Sequence, residues 1–318
     1  MTDLAALSAL SLAKAIRDKK VSSLEATEAA IERLRACHEL TNCIISLEAD
    51  EARAGAMPLS PALDTVGVIA RHVEDLALAL GILAGPDPRD TAATTLPVPD
   101  YVARLADPVK GLKLGVDEAV VGEADPQVQR MVEQVAGILG KLGLHRTSCR
   151  FPDWQTLDHL VQLVQFPDAS AAHTAFLRTR ANEYGPQVRA RAEVGHFISA
   201  VDHLTALRAR GMFVERTLQE TFKDADIAIL PILADPLPTI SGLDVSGGPQ
   251  VQAAMGRVVK FTRPINYLGL PTLTLPIPRA GGLPNGIQLV GRPYAEATLV
   301  AVGKAYQREV PPEIARPL

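Results

Sequence analysis

Three observations predict an α/β fold. Short strand-like runs alternate with helical stretches along the chain, the pattern of a sheet packed between helices. No self-similarity recurs at the roughly 20–50-residue period of solenoids and propellers. The 318 residues, 47% hydrophobic and 21% charged, are enough to bury a substantial core.

The elements follow in order. Residues 4–19 carry leucine and alanine at helical spacing and end in Arg17-Asp18-Lys19-Lys20. Ser22-Ser23-Leu24-Glu25 reads as a capping box, in which serine and glutamate side chains each take a backbone N–H of the other. The helix it opens runs to about His38, with Ala26, Ala29, Ile31 and Leu34 on its apolar side. "TNCIISL" (41–47) has strand character. Past Asp64-Thr65-Val66-Gly67, residues 73–83 return to a period of 3.6 until Gly85-Pro86 stops them. The Pro- and Thr-rich run 85–101 is extended loop, and "GLKLGVD" (111–117) is a strand.

Asp125-Pro126 places an N-cap before a proline at the first helical position, and Gly143 ends that helix. "HRTSCRF" (145–151) is a candidate strand. Residues 153–222 look helical, with breaks near Gly185-Pro186 and Gly195. "DIAILPI" (226–232) reads as a buried strand, and a short helix covers 249–260. "TRPINYLGLPTLTLPI" (262–277) and "NGIQLVGRP" (285–293) are two further strand candidates before a final helix at 295–308.

Bulk properties exclude several function classes. A net charge of −4 gives no reason to expect nucleic acid or an anionic membrane as partner. Aromatics are 4% of the chain, too few for a base-stacking surface; Phe151, Trp154 and Phe166 are expected in the core. The longest apolar run, near Leu76–Leu83, is too short for a membrane span, and Met1-Thr2-Asp3-Leu4 has no basic start of a secretory signal. Cys37, Cys43 and Cys149 form an odd set without a C-x-x-C pair, which argues against a disulfide framework and for the cytoplasm. No metal or other cofactor is expected. Glu193 and His196 share a helical face but lack a third ligand, so a solvated face is favoured over a metal site.

Four stretches then carry a resemblance. "MPLSPALDTVGVIARHVEDLALALGILAGPDPRD" (57–90) resembles the segment after the catalytic signature of the amidase signature family. "FTRPINYLGLPTLTLPIPRAGGLPNGIQLVGRPYAEATLVAVGKAY" (261–306) resembles that family's closing segment. "YGPQVRARAEVGHFISAVDHLTALRAR" (184–210) is similar to a helical portion of its bacterial members, and "SALSLAKAIRDKKVSSLEATEAAIERL" (8–34) to its opening helical pair. The resemblance implies an α/β/α sandwich with a mixed sheet. It implies one amidase-like domain over 1–318: opening elements in 1–52, then a post-signature portion in 53–318 with a mostly helical insert at about 153–222.

The same resemblance implies a Ser-Ser-Lys triad and a Gly/Ser-rich stretch supplying oxyanion-hole amides, between the opening helices and "PLSPALDTVG". Here "SLEADEA" (46–52) passes straight to "RAGAMPLSP" (53–61), as if a long stretch were missing between Ala52 and Arg53. No lysine occurs between Lys20 and Lys110, and neither Gly-Gly-Ser nor Ser-Ser-Gly occurs anywhere. A serine hydroxyl needs a base, here a relay serine and a neutral lysine, and its tetrahedral intermediate needs preorganised N–H donors. The expectation is a remnant of the family's sandwich without the strands of the catalytic segment, with no catalytic residue of its own and exposed sheet edges or helix faces.

Three residues remain as substrate-binding candidates. Asp64 either orients a substrate-binding loop or, as the blander and favoured reading, caps turn amides. Thr262 and Asn266 fall where the resemblance implies the substrate funnel. Ser246-Gly247-Gly248 with Lys260 could form a makeshift dyad, but Gly-Gly-Pro favours a loop. By resemblance the substrate is a small carboxamide. The alternative is a non-catalytic binding or scaffold protein that pairs with a complete amidase homologue, and a homo- or hetero-oligomer is open.

Overall fold

The computed structural model describes residues 9–22, 25, 59–86, 93–239, 249–277 and 285–312. The expected helix up to His38, the strand at 41–47, the junction at Ala52–Arg53, and Ser246, Cys37 and Cys43 lie outside these residues. The chain divides into two compact units, one of residues 1–57, 67–105 and 311–318, the other of 58–66 and 106–310.

In the first unit, α1 (Ala9–Arg17) precedes the capping box. Glu25 N–H donates to Ser22 Oγ at 3.1 Å and Ser22 N–H to Glu25 Oε2 at 2.8 Å, which holds the Glu25 carboxyl below its usual range. α2 (Val73–Leu83) buries Val73 and Ala77, and α3 (Tyr101–Arg104) buries Tyr101.

The second unit is built on a mixed five-stranded sheet: β1 (Lys113–Val116), β2 (His145–Ser148), β3 (Ile227–Pro231), β4 (Thr272–Pro276) and β5 (Gly286–Gly291). The spatial order is β2-β1-β3-β5-β4; β1 is parallel to β2 and β3, and β5 is antiparallel to both its neighbours. β3 is buried at every position, as a central strand sandwiched on both faces must be. β4 buries only Leu273 and Leu275 and exposes Thr272, Thr274 and Pro276.

After the short α4 (Glu118–Val121), α5 (Pro126–Lys141) starts as its sequence dictates: the Asp125 carboxylate accepts from Gln127 N–H at 2.7 Å and Pro126 occupies the first turn. Its stripe of Val128, Val132, Val135, Ala136 and Leu139 is buried against the sheet. A helical layer joins β2 to β3: α6 (Trp154–Arg180), α7 (Pro186–Val194) and α8 (Ala200–Glu220), with breaks at the expected places. At the second break, a Cβ on Gly195 would lie 2.0 Å from the Phe166 carbonyl oxygen, so only glycine lets that turn touch α6. Phe151, Trp154 and Phe166 are core residues, and Phe151 meets Trp154 edge to face at 5.2 Å.

One expectation is corrected. Residues 262–277 do not form one strand: α9 (Pro249–Val259) is followed by α10 (Arg263–Leu268), and only then by β4. Pro264 supplies the fixed φ of a helical first turn, and Gly269, at φ +67°, closes the helix in the left-handed conformation. The last helix, α11 (Glu296–Glu309), packs on β4, β5 and α5.

Candidate functional site

Two of the three candidate residues, Asp64 and Asn266, meet at the turn of residues 59–64 in the second unit. Ser60 opens a tight turn whose carbonyl accepts from Leu63 N–H and Asp64 N–H at 2.9 and 2.8 Å. Asp64 Oδ2 in turn accepts from Leu59 N–H at 2.8 Å and Ser60 N–H at 3.1 Å. Its carboxylate therefore organises the turn from within.

Three helices brace this turn from outside. Asn266 on α10 donates from Nδ2 to the Leu63 carbonyl at 2.8 Å, and Arg210 on α8 donates to the Ala62 carbonyl at 2.9 Å. Ser60 Oγ donates to Asp168 Oδ2 on α6 at 2.6 Å. Thr262 sits at the N-cap position of α10, where its hydroxyl donates back to the Val259 carbonyl at 3.3 Å and its carbonyl accepts from Asn266 N–H. Asp64 and Asn266 are thus brought to one corner, with Thr262 one turn earlier on the same helix. α10 is itself anchored: the buried Arg263 guanidinium is 3.0 Å from Asp158 on α6, and burial lowers its pKa against the opposing pull of that carboxylate.

The brace has a cause in the sequence of α6. Pro167 lies inside this helix and has no N–H to offer the Leu163 carbonyl four residues back. His203 of α8 takes that oxygen, with Nδ1 3.1 Å away; since a carbonyl only accepts, Nδ1 carries the proton. The ring's Nε2 then faces Asp168 Oδ1 at 3.8 Å, beside the oxygen that receives Ser60. Gly269 completes the corner, because a Cβ there would come within 2.6 Å of the Arg210 guanidinium. Ser60, Asp168, His203 and Arg210 were not singled out from the sequence. Asp168 is 108 residues from Ser60 and Arg210 is 148 from Ala62. The proline inside a helical run was the available signal.

Other reactive groups are engaged elsewhere. Lys260 Nζ is 2.5 Å from Glu123 Oε2, and its carbonyl accepts from Trp154 Nε1 at 3.1 Å. The buried Asp117 carboxylate accepts from the Ala119, Val120 and Phe151 N–H groups. Burial first, then the charges of Asp117 and Glu118, push the Cys149 thiol up to about 12, which leaves it a weak nucleophile at neutral pH. Glu193 binds Arg189 at 2.7 Å. Among the described residues no three His, Cys, Asp or Glu side chains are grouped to hold a metal ion, and no helix is long and apolar enough to cross a membrane.

Comparison with known proteins accounts for this architecture. An amidase of Pseudomonas putida is 35% identical over 262 residues, covering 80% of this chain and 55% of that protein. A glutamyl-tRNA(Gln) amidotransferase subunit from Moorella thermoacetica is 32% identical over 279 residues, covering 81% and 56%. A solved structure described as "an unexpected vestigial protein complex" that reveals the origins of "an s-triazine catabolic enzyme" superposes with a TM-score of 0.71. It is 25% identical and covers 82% of this chain and 57% of that one. A crystal structure of an amidase, 23% identical over 80% of this chain and 55% of its own, shares the fold with a TM-score of 0.66. The chain therefore spans little over half the length of the relatives it matches. The family model described as Amidase matches residues 52–300, most of the chain, and on that match the chain belongs to the amidase family.

Proposed function

We propose that this chain is an amidase-family protein that does not hydrolyse amides on its own. One observation carries the reading: the stretch between Lys20 and Lys110 contains no lysine, and the sequence has no Gly-Gly-Ser or Ser-Ser-Gly. The family chemistry implied by resemblance, hydrolysis of the carbon–nitrogen bond of a small carboxamide, needs nucleophile, relay, base and oxyanion donors together. Losing one oxyanion donor alone typically costs on the order of 10²–10³ in rate. The local chemistry supports this reading. Ser60, Ser170 and Ser199 donate their hydroxyl protons to a carboxylate, a carbonyl and a carboxylate, and Lys260 is held by Glu123. Asp64, Thr262 and Asn266 then have at most a binding role at the braced corner. The odd cysteine count supports a cytoplasmic location.

A second reading is a non-catalytic partner of a complete amidase homologue, in one amidase-like domain that has kept its binding side. The brace favours it, since side chains from three helices still hold the 59–64 turn in place. Hydrolysis of a panel of aliphatic and aromatic amides tests the first reading. No turnover above buffer is expected, and turnover abolished by a serine-directed fluorophosphonate overturns it. Light scattering with and without a complete homologue tests the second, which fails if each protein keeps its own separate mass in the mixture.

A further inference from the structure

We propose that β4 is a self-pairing edge, through which two copies of this chain join their sheets. The argument starts from hydrogen-bond parity. Gly291 N–H donates to the Pro271 carbonyl at 2.9 Å and Ile277 N–H to the Asn285 carbonyl at 3.1 Å, so the odd-numbered residues of β4 bond β5. The even-numbered residues, Thr272, Thr274 and Pro276, turn their backbone groups the other way. Among the described residues no strand lies on that side, and all three are exposed.

The far end of this edge is closed. Pro276 has no N–H, and its carbonyl accepts the Tyr306 hydroxyl at 2.7 Å. Among the described residues, what is left is the N–H and C=O of Thr272 and of Thr274, two donors and two acceptors. This set is complementary to itself in partial charge. In an antiparallel pair centred on Leu273, Thr272 lies opposite the second copy's Thr274 and Thr274 opposite the second copy's Thr272. Both are hydrogen-bonded pairs, so four N–H groups meet four carbonyls and none is left over. The register also sets threonine against threonine on the open face, a favourable cross-strand pair. The two-fold symmetry closes the assembly at two copies instead of a fibre. The side chains on the edge carry no charge, which is what commonly blocks such pairing.

The occupant is therefore a second copy of this chain, and the inference does not depend on whether the chain hydrolyses amides. The experiment is sedimentation velocity of the full chain at micromolar to 100-micromolar concentration. A dimer is expected. The double variants Thr272→Lys/Thr274→Lys and Thr272→Glu/Thr274→Glu set like charges opposite each other twice, and each is expected to dimerise on the order of tenfold or more weakly. Mixed together, the two variants should regain the dimer, which also shows that both are folded. A monomeric parent chain overturns the proposal, and so does a dimer indifferent to both double variants.

Discussion

At the β2 margin of the sheet, the Arg146 guanidinium pairs with Glu133 of α5 at 2.6 Å and with Glu118 of α4 at 2.5 Å. At the β4 margin, the exposed side chains are Thr272, Thr274 and Pro276, all uncharged. The difference teaches what a sheet edge needs. A charged, ion-paired edge meets no second strand without stripping water from its charges, whereas a threonine edge offers bare backbone. Natural proteins cover or charge such edges, and among the described residues one of the sheet's two margins carries no charge. The hydrophobic anchoring differs too. β4 is fixed from one face by Leu273 and Leu275, while β2 is mostly exposed along its length.

The largest effect expected at these margins comes from that anchor. Leu275 is buried beside α11, and Leu275→Ala should cost about 2–5 kcal/mol, the range for emptying a buried leucine site. Urea unfolding of this variant and of Thr147→Ala on β2 measures the contrast, since a partly exposed threonine should cost within about 0.5 kcal/mol. Equal losses at both would mean that the margins are anchored alike.

The Tyr306 hydroxyl is the next lever. Tyr306→Phe removes the cap on the Pro276 carbonyl and should cost about 0.5–1.5 kcal/mol. Burial holds this phenol up at about 12, above the ordinary value of 10. A group raised in the folded state stabilises fully below its unfolded pKa, so the contribution is present below pH 10 and is lost between 10 and 12. Tyr267, whose hydroxyl donates to the Ala206 carbonyl at 2.5 Å, is also raised to about 12 by burial. Stability should therefore fall over that window in the parent chain, less in Tyr306→Phe, and less again when Tyr267→Phe is added. A denaturation series from pH 9 to 12 reads all three, and identical slopes would remove Tyr306 from the account.

Much of this was legible in the sequence, for reasons visible residue by residue. Local signals act over a few positions: Asp125-Pro126 started a helix, Gly85-Pro86 ended one, and Ser22 with Glu25 closed a capping box. "TRPINYLGLP" misled because its apolar run suits a buried helix as well as a strand, and the deciding left-handed Gly269 is also a common strand-end residue. At the candidate site, Asp64 was readable because it organises its own turn. The brace was not readable, because Asp168, His203 and Arg210 reach the turn only through tertiary packing. The edge chemistry of β4 was hidden for another reason: which residues turn outward depends on register with β5, and one step of slip exchanges the two sets.

Beside the two levers at β4, the effect of the charged margin is small. Both partners of Arg146 are about half exposed, so solvent and salt screen the pairs and each should contribute about 0.2–1 kcal/mol. Arg146→Ala should therefore lower stability by about 1 kcal/mol or less at low salt, and by almost nothing in 1 M sodium chloride. The pH dependence supplies a sign. The hydrogen bond from Arg146 holds the Glu133 carboxyl below its ordinary 4.5. A lowered carboxylate stabilises above its unfolded pKa and loses that contribution as pH falls through the folded value, so the gap between parent and variant should close on acidification below about 4.5. If the gap instead persists at pH 3 and in high salt, Arg146 acts by covering apolar surface with its aliphatic stem. The β2 margin would then be packed, and its contrast with β4 would be one of shape instead of charge.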